Sequence, residues 1–259
     1  MTLFRTCRPT DVRSAVFHTL AFRRLPVVAE RDVRVALERV EPASQLLLIQ
    51  AAEDAGLQVH VALERLSCLW VLAATVNLAD DLADGDCDYL DGRVAPGVCF
   101  LLHALSGVCA ARSELSMECW ADYSEFLTQA AAGQSLEVRA KEFDAAGYLE
   151  IARLIAGRQY AAYLRILWDG SQLAELAVAT GEALGTAGLV VTDVLSRDRR
   201  LTDMLPRERA KVLGHTATLL DALIGQKLPC LDAFERFASP VLNRPSSPEL
   251  PASATQPAG

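Results

Sequence analysis

The feature that most limits the fold is a helical periodicity that continues through most of the chain. Between Arg31 and Phe237, proline and glycine rarely interrupt it, and no stretch alternates polar and apolar residues as a half-buried strand does. Alanine and leucine dominate, which also favours helix. The sequence therefore predicts an all-α fold, with helices at residues 44–55, 59–84, 98–132, 145–167, 173–196, 207–224 and 231–237.

Glycine and proline predict where these helices end. Breaks are expected at four places, namely residues 92–97, Gly133, residues 169–171 and residues 204–206. With 259 residues, of which 51% are hydrophobic, the chain is long enough for one large core. From Ser239 onward, prolines and serines replace large apolar residues, as in disordered segments. We therefore expect one helical domain over residues 1–238 and a disordered tail over residues 239–259.

Charge and cysteine content argue against several other classes of protein. The formal net charge is −8, so the basic surface that nucleic-acid binding requires is not expected. Seven cysteines, with no Cys-x-x-Cys pair, argue against a disulfide framework or a zinc site and favour a cytoplasmic location. The apolar stretch 98–111 is interrupted by polar residues and is too short to span a bilayer, so we expect no membrane span.

Three aspartates end the predicted helix 59–84. The apolar stripe of this helix recurs in steps of three and four and consists of Leu66, Leu69, Ala73 and Val76. The same steps lead to Asp80 and Asp84, and Asp81 flanks them. Carboxylates on an inward-facing stripe repel each other and lose hydration, and the dipole of a helix C-terminal end adds to the cost. Mg²⁺ prefers oxygen ligands and shares them with substrate phosphates, so it would relieve this cost.

A plainer explanation of the same aspartates is a solvated acidic helix end. Asp86, Asp88 and Asp91 follow closely and would continue it. Spacing alone does not separate the two explanations. The match to the apolar stripe favours the metal site.

Small residues form an unusual stripe in the predicted helix 173–196. Steps of three and four place five of them on one face, namely Gly181, Gly185, Gly188, Thr192 and Ser196. A glycine inside a helix costs about 1 kcal/mol relative to alanine, so something must approach this face closely. Another helix and a bound ligand both remain open as explanations. Thr192, Asp193 and Ser196 add oxygen ligands at the end of the stripe.

Four sequence blocks, in this order, resemble the trans-isoprenyl diphosphate synthases and the related class I terpene synthases. They are Asp80-Asp81-Leu82-Ala83-Asp84, Gly133-Gln134-Ser135-Leu136-Glu137, residues 148–157 and residues 181–196. The first matches the family's first aspartate-rich motif in full, and the second has glutamate where the family has Gly-Gln-x-x-Asp. The third is similar to the helix that carries a Lys-Thr-Gly, and the fourth to the second metal-binding region. The resemblance covers roughly residues 44–224 and implies the class I isoprenoid synthase helical bundle around a central cavity, with its two acidic regions facing each other.

Several cations of the synthases are missing at the matching positions. Residues 40–45 replace a basic Gly-Gly-Lys-x-Arg-Pro segment that holds isopentenyl diphosphate, and an Arg-Arg-Gly is reduced to Arg93 beside Gly92. Ile155 and Ala156 replace the Lys-Thr pair. Two diphosphates bound close together need many positive partners. These departures favour a reaction of one diphosphate.

The second motif also departs from the family. Of three aspartates it keeps Asp193, with Thr192 and Ser196 at the outer positions. It is similar to the Asn-Asp-x-x-Ser-x-x-x-Glu motif of terpene synthases, where Asn, Ser and Glu are metal ligands. Arg200, which is a poor ligand, stands at the Glu position.

The resemblance therefore implies a Mg²⁺-dependent class I terpene synthase that ionises an allylic diphosphate of the farnesyl or geranylgeranyl class. The expected catalytic residues are Asp80, Asp81, Asp84 and Asp193. The expected Mg²⁺ ligands are Asp80, Asp84, Asp193, Thr192 and Ser196. The expected substrate contacts are Arg153, Arg158, Gln134, Thr75, Val76, Gly188 and Arg197, with Arg199 and Arg200 as further candidates to close over the diphosphate. A surface charge is the plainer explanation of Arg153.

Three alternatives stay open. The chain can be a chain-elongating trans-prenyltransferase that consumes isopentenyl diphosphate, or a non-catalytic subunit of a synthase. The intact first motif argues against the subunit, since a subunit without activity need not keep three costly aspartates. The third alternative is an unrelated helical protein whose acidic stretch binds divalent ions. A homodimer is expected by analogy with the synthases.

Overall fold

The computed structural model describes residues 13–14, 16–17, 25–40, 42–140 and 142–242, and every regular element in these ranges is helical. From Val27 onward, the α-helices are α1 Val27–Glu38, α2 Pro42–Asp54, α3 Val59–Asp84, α4 Ala95–Ala110, α5 Met117–Arg139, α6 Ala145–Ala152, α7 Arg158–Trp168, α8 Ala177–Ser196, α9 Arg199–Thr202, α10 Pro206–Ile224 and α11 Pro229–Leu242. A π-helical turn, Arg153–Gly157, joins α6 to α7, and a short 3₁₀ turn, Ala174–Leu176, precedes α8. The predicted all-α fold is confirmed.

The long helix α3 lies in the middle of the bundle. It packs along α4 and also contacts α1, α2 and α7, while α8 packs against α7, α10 and α11. Every residue of α3 from Arg65 to Thr75 is buried, which explains why this part of the helix has apolar side chains on all of its faces. Trp168 at the end of α7 is fully buried, and its indole N–H donates to the carbonyl of Ala51 at 2.9 Å.

A buried arginine fixes the end of α7 against α3. The Nη1 atom of Arg65 donates to the carbonyls of Ile166, Leu167 and Asp169 at 3.0, 3.3 and 2.8 Å. The last carbonyls of a helix have no partner within the helix, so this contact satisfies groups that would otherwise be buried and unpaired. The predicted break at residues 169–171 lies here and is confirmed.

Two predicted boundaries are wrong. The single helix predicted at 98–132 is two helices, because Glu114 has a left-handed backbone with φ 50° and Ser116 caps α5, accepting from the N–H of Cys119 at 3.1 Å. The break predicted at Gly133 does not occur, and α5 continues to Arg139. A Cβ atom at Gly133 would lie 2.7 Å from Cβ of Leu154, so this glycine allows the π-helical turn to approach α5.

The end of the domain also differs from the prediction. Helix α11 continues to Leu242, beyond the predicted start of the tail at Ser239. Residues 243–259, the rest of the predicted tail, lie outside the described residues.

Two segments, Val59–Asp84 and Ala174–Ser196, pass the length and composition test for crossing a membrane. Of the apolar window in each, 67% and 50% is buried inside the fold. Buried core helices of soluble proteins pass the same test. The absence of a membrane span stays a prediction.

Candidate functional site: an acidic cleft and a buried ion-pair cluster

The first predicted site lies where α3 emerges from the core. Leu66, Leu69 and Ala73 of the stripe are buried and Val76 is half-buried, whereas Asp80 and Asp84 reach solvent. The helix ends at Gly85, which has a left-handed backbone with φ 80°. Glycine adopts this conformation without strain. The expectation that these carboxylates face a buried interior is therefore met only in part, because the stripe leaves the core before it reaches them.

The surroundings of Asp80 nevertheless disfavour its negative charge. Its pKa is raised above its usual value, chiefly by partial loss of hydration and then by repulsion from Asp84 and Asp81. The charge of Arg200 and a hydrogen bond with the side chain of Gln134 oppose this rise. Gln134, a predicted substrate contact on α5, therefore lies beside the first aspartate of the motif.

A polar cleft of about 270 Å³ opens beside this helix end. It is lined by Arg39, Asn77, Asp80, Asp81, Asp86, Asp88 and Tyr89. The hydroxyl of Tyr89 donates to Oδ2 of Asp81 at 2.6 Å, and burial together with this contact raises the pKa of the phenol. Ligand pockets usually enclose about 300–1,000 Å³, so the size of the cleft suits a head group better than a whole isoprenoid chain.

Arg39 supplies a cation to the cleft. It follows α1 directly, its guanidinium lies 4.5 Å from the ring centre of Tyr89, and it pairs with Asp88 at 3.7 Å. Its side chain is 54% exposed and so remains accessible to a ligand. Arg39 lies one position before residues 40–45, which match the basic segment of the synthases, so the resemblance did not indicate it.

The chemistry of the α3 carboxylates fits Mg²⁺. A divalent cation would relieve the mutual repulsion of Asp80, Asp81 and Asp84, and their oxygens are the ligands that Mg²⁺ prefers. Among the described residues, no three or more His, Cys, Asp and Glu side chains are arranged to hold a metal by themselves. Mg²⁺ typically takes one or two carboxylates and completes its shell with water and substrate phosphate. Asp80 and Asp84 are therefore the residues that would hold it.

Asp193, in the second predicted region, is in a different environment. It is only 2% exposed, and both of its carboxylate oxygens have partners. The hydroxyl of Tyr148 donates to Oδ2 at 2.6 Å, and Nη2 of Arg200 donates to Oδ1 at 3.0 Å. Burial raises the pKa of Asp193 to about 7, and the hydrogen bond from Tyr148 opposes the rise.

Arg200 binds further carboxylates besides Asp193. Its Nη1 atom contacts Glu137 of α5, and its Nε atom lies 2.9 Å from Oδ1 of Asp198. Asp198 also caps α9, accepting from the N–H of Arg200 at 2.8 Å. The chain turns sharply before this cap, because Arg197 adopts a left-handed backbone with φ 60°. We call Arg200 with Glu137, Asp193 and Asp198 the Arg200 cluster.

The second region therefore does not fit the metal-ligand role expected for Asp193. A cation already contacts this carboxylate, and its other oxygen accepts from Tyr148. Thr192 and Ser196 are exposed, and the hydroxyl of Ser196 donates to the carbonyl of Asp193 in its own helix at 3.4 Å. Arg197, a predicted substrate contact, is also exposed.

The glycine stripe is filled by helix packing. A Cβ atom at Gly185 would lie 2.1 Å from the carbonyl oxygen of Ala156, and one at Gly181 would lie 2.5 Å from the backbone of Ala161. A Cβ at Gly188 would lie 3.4 Å from the ring of Phe234. Of the two explanations left open by the sequence, the structure supports close packing at Gly181 and Gly185. The predicted contact between Gly188 and substrate stays a prediction.

Arg153 and Arg158 are engaged with acidic side chains of α6 and α8. Arg153 binds Glu150 through two hydrogen bonds of 2.8 and 2.9 Å. Both arginines approach Glu182, at 3.4 Å for Arg153 and 2.5 Å for Arg158. Arg153 and Glu182 line a separate cavity of about 410 Å³ between α6, α8 and α10, so the structure places Arg153 outside the acidic cleft.

Thr75 and Val76 lie within α3, one turn before the aspartates. The hydroxyl of Thr75 donates to the carbonyl of Val71 at 2.8 Å, and this residue is 8% exposed. Val76 packs against the main core. Their predicted contact with an isoprenoid chain stays a prediction.

No protein-family model and no curated protein matches the sequence. A geranylgeranyl pyrophosphate synthetase from the archaeon Geoglobus acetivorans has a TM-score of 0.70 at 13% identity, with 92% of this chain and 98% of that one covered. A geranyltranstransferase from Thermotoga maritima has a TM-score of 0.66 at 14% identity, covering 90% and 96%.

A third similar structure is an isoprenoid synthase family member from Thermotoga neapolitana, with a TM-score of 0.64 at 14% identity. The match covers 90% of this chain and 96% of the Thermotoga neapolitana chain. At these identities the comparison concerns the fold, and the coverage shows that the likeness extends over nearly the whole chain. This chain therefore has the all-helical fold of the isoprenoid synthases.

Proposed function

We propose that this chain is a Mg²⁺-dependent prenyltransferase that joins an allylic isoprenoid diphosphate to isopentenyl diphosphate. The observation that carries this proposal is the position of Arg39, a cation in the same cleft as Asp80 and Asp81. The sequence favoured a reaction of one diphosphate because a cation for a second one was not found. Arg39 weakens that argument, and the similar solved structures include a geranyltranstransferase and a geranylgeranyl pyrophosphate synthetase.

The acidic cleft would bind the allylic diphosphate by its head group. Asp80 and Asp84 would hold Mg²⁺, which when bound neutralises the diphosphate and makes it a better leaving group. Asp81, held by Tyr89, would support them. Arg39 would contact phosphate oxygens of isopentenyl diphosphate, because guanidinium groups bind them through paired hydrogen bonds.

A second function, a class I terpene synthase acting on one diphosphate, is favoured by a specific observation. Arg153 and Arg158, the candidates to replace the missing lysine, are paired with Glu182. If these pairs persist when substrate binds, the second diphosphate gains nothing from either arginine.

One assay separates the two functions. The protein is incubated with Mg²⁺ and geranyl, farnesyl or geranylgeranyl diphosphate, each with and without isopentenyl diphosphate. A prenyltransferase forms longer diphosphates only when isopentenyl diphosphate is present. Hydrocarbons or alcohols formed without it would reject the transferase and support the terpene synthase. If neither product forms, both proposals fail, and recovery of activity on adding a synthase partner would support the non-catalytic subunit.

A further inference from the structure

The Arg200 cluster places one guanidinium among carboxylates from three parts of the chain. Glu137 comes from α5, Asp193 from α8, and Asp198 from the turn between α8 and α9. The charges of Asp80 and Asp84 also act on Arg200, and they oppose the lowering of its pKa by burial. One positive side chain thus links the carboxylates of the acidic cleft to those of the second region.

The contacts leave little room for a metal ion at Asp193. One oxygen accepts from Tyr148, and the other accepts from Arg200. A divalent cation at this carboxylate would have to displace a buried hydrogen bond or approach a guanidinium of the same charge. Arg200 also satisfies the main need that a metal would otherwise meet, which is to compensate a buried carboxylate.

The position of Arg200 is fixed by local structure. The N-cap at Asp198 holds the backbone of Arg200, and the same carboxylate holds its Nε atom. Leu201, the next residue, is buried in the small hydrophobic cluster that also contains Tyr148 and Val190. The guanidinium is therefore held from both the backbone and the side chain, unlike an arginine at the end of a flexible loop.

We propose that Arg200 takes the place of a metal ion at the second region, so that this chain binds diphosphate with metal ions at the α3 carboxylates alone. The inference rests on the proposed function, because it concerns the same diphosphate site. Metal ions on the Asp193 side would be absent at every stage of the reaction. The positive charge there would stay with the protein when the product leaves.

The test counts Mn²⁺ ions bound per chain in the presence of inorganic pyrophosphate, by electron paramagnetic resonance of free Mn²⁺. The full chain is compared with Asp193→Asn, Arg200→Glu and, as a control, Arg112→Glu, an exposed arginine just after the end of α4. We expect Asp193→Asn and Arg112→Glu to bind the same number of ions as the unaltered chain. Arg200→Glu should bind one more, because it exchanges the cation of the cluster for a further oxygen ligand.

Loss of one Mn²⁺ in Asp193→Asn would overturn the inference, and so would the absence of a gain in Arg200→Glu. Circular dichroism checks that each variant is folded. If Arg200→Glu does not fold, the number of Mn²⁺ ions bound by Asp193→Asn decides the test alone. Asp80→Asn tests the proposed function separately, since it should lower the count in the unaltered background. If the unaltered chain binds no Mn²⁺ but Arg200→Glu binds one, the proposed function fails. Of the inference, the replacement of a metal ion by Arg200 then stands, and metal binding at the α3 carboxylates is overturned. No binding in either protein overturns both.

Discussion

The guanidinium of Arg200 lies 3.0 Å from a carboxylate oxygen of Asp193, where the resemblance to the isoprenoid synthases implies a metal ion. Asp193 is almost completely buried, so its charge needs a partner inside the protein. An arginine can provide that charge permanently, whereas a metal ion must be taken from solution. The second region therefore differs from the acidic cleft in that its carboxylate is already paired, whereas Asp80 and Asp84 remain accessible to solvent.

The first prediction concerns Asp80. Asp80→Asn should lower Mg²⁺-dependent turnover of the allylic diphosphate by at least about 100-fold, because it removes a ligand charge from the cleft. The melting temperature should stay the same or rise slightly, since the substitution removes repulsion with Asp84 and Asp81. Turnover and thermal melting are measured on the same samples. The control is Asp221→Asn, an exposed residue near the end of α10, which should change neither. Full turnover in Asp80→Asn would contradict the metal-binding role.

The second prediction concerns Arg39. Arg39→Gln should raise KM for isopentenyl diphosphate by roughly 10- to 100-fold, since a hydrogen bond to a charged group contributes about 1.5–3 kcal/mol. Arg39→Lys should restore part of the loss. The exposed Arg112→Gln, just after the end of α4, serves as the control and should leave KM unchanged. An unchanged KM in Arg39→Gln would remove the observation on which the prenyltransferase proposal rests.

A third prediction tests the packing of α8 against the π-helical turn. Gly185→Ala should lower the free energy of unfolding by about 3 kcal/mol or more, because the new Cβ would lie 2.1 Å from the carbonyl of Ala156. Gly214→Ala is the matched control in α10, where a Cβ has no heavy atom within 4 Å. It should stabilise the protein by about 0.5–1 kcal/mol through helix propensity. Urea unfolding of both variants measures the difference, and equal stabilities would show that the packing is looser than described.

The fourth prediction compares two tyrosines that donate to carboxylates at the same distance. The hydroxyl of Tyr148 lies 2.6 Å from Oδ2 of Asp193, and the hydroxyl of Tyr89 lies 2.6 Å from Oδ2 of Asp81. Tyr148→Phe should cost about 1–3 kcal/mol of unfolding free energy, because it leaves an oxygen of the buried Asp193 without its partner. Tyr89→Phe should cost less, since water can reach the half-buried Asp81. Denaturant unfolding of the two variants tests the order, and a larger cost for Tyr89→Phe would contradict it.

Much of the aspartate site at the end of α3 could be predicted from the sequence. The steps from Leu66 to Asp84 follow the periodicity of one helix, and α3 has the predicted bounds Val59–Asp84. Local signals also indicated the break before Pro206. The break predicted at Gly133 failed because a glycine permits two different things, a helix end or the close approach of another segment. Only the position of Leu154 shows which of them applies.

The pattern along the chain was sufficient for the helical class of the fold and for the placement of three aspartates at one helix end, because helix periodicity depends on residues three and four apart. Partnerships between distant residues depended on how the helices pack. Arg200 contacts Glu137 across 63 residues, and Arg39 enters the cleft of Asp80 from a separate helix end. Such contacts set the charge at a carboxylate, and hence whether it is free for a metal. Sequence spacing carries no information about charges that the folded chain brings from elsewhere.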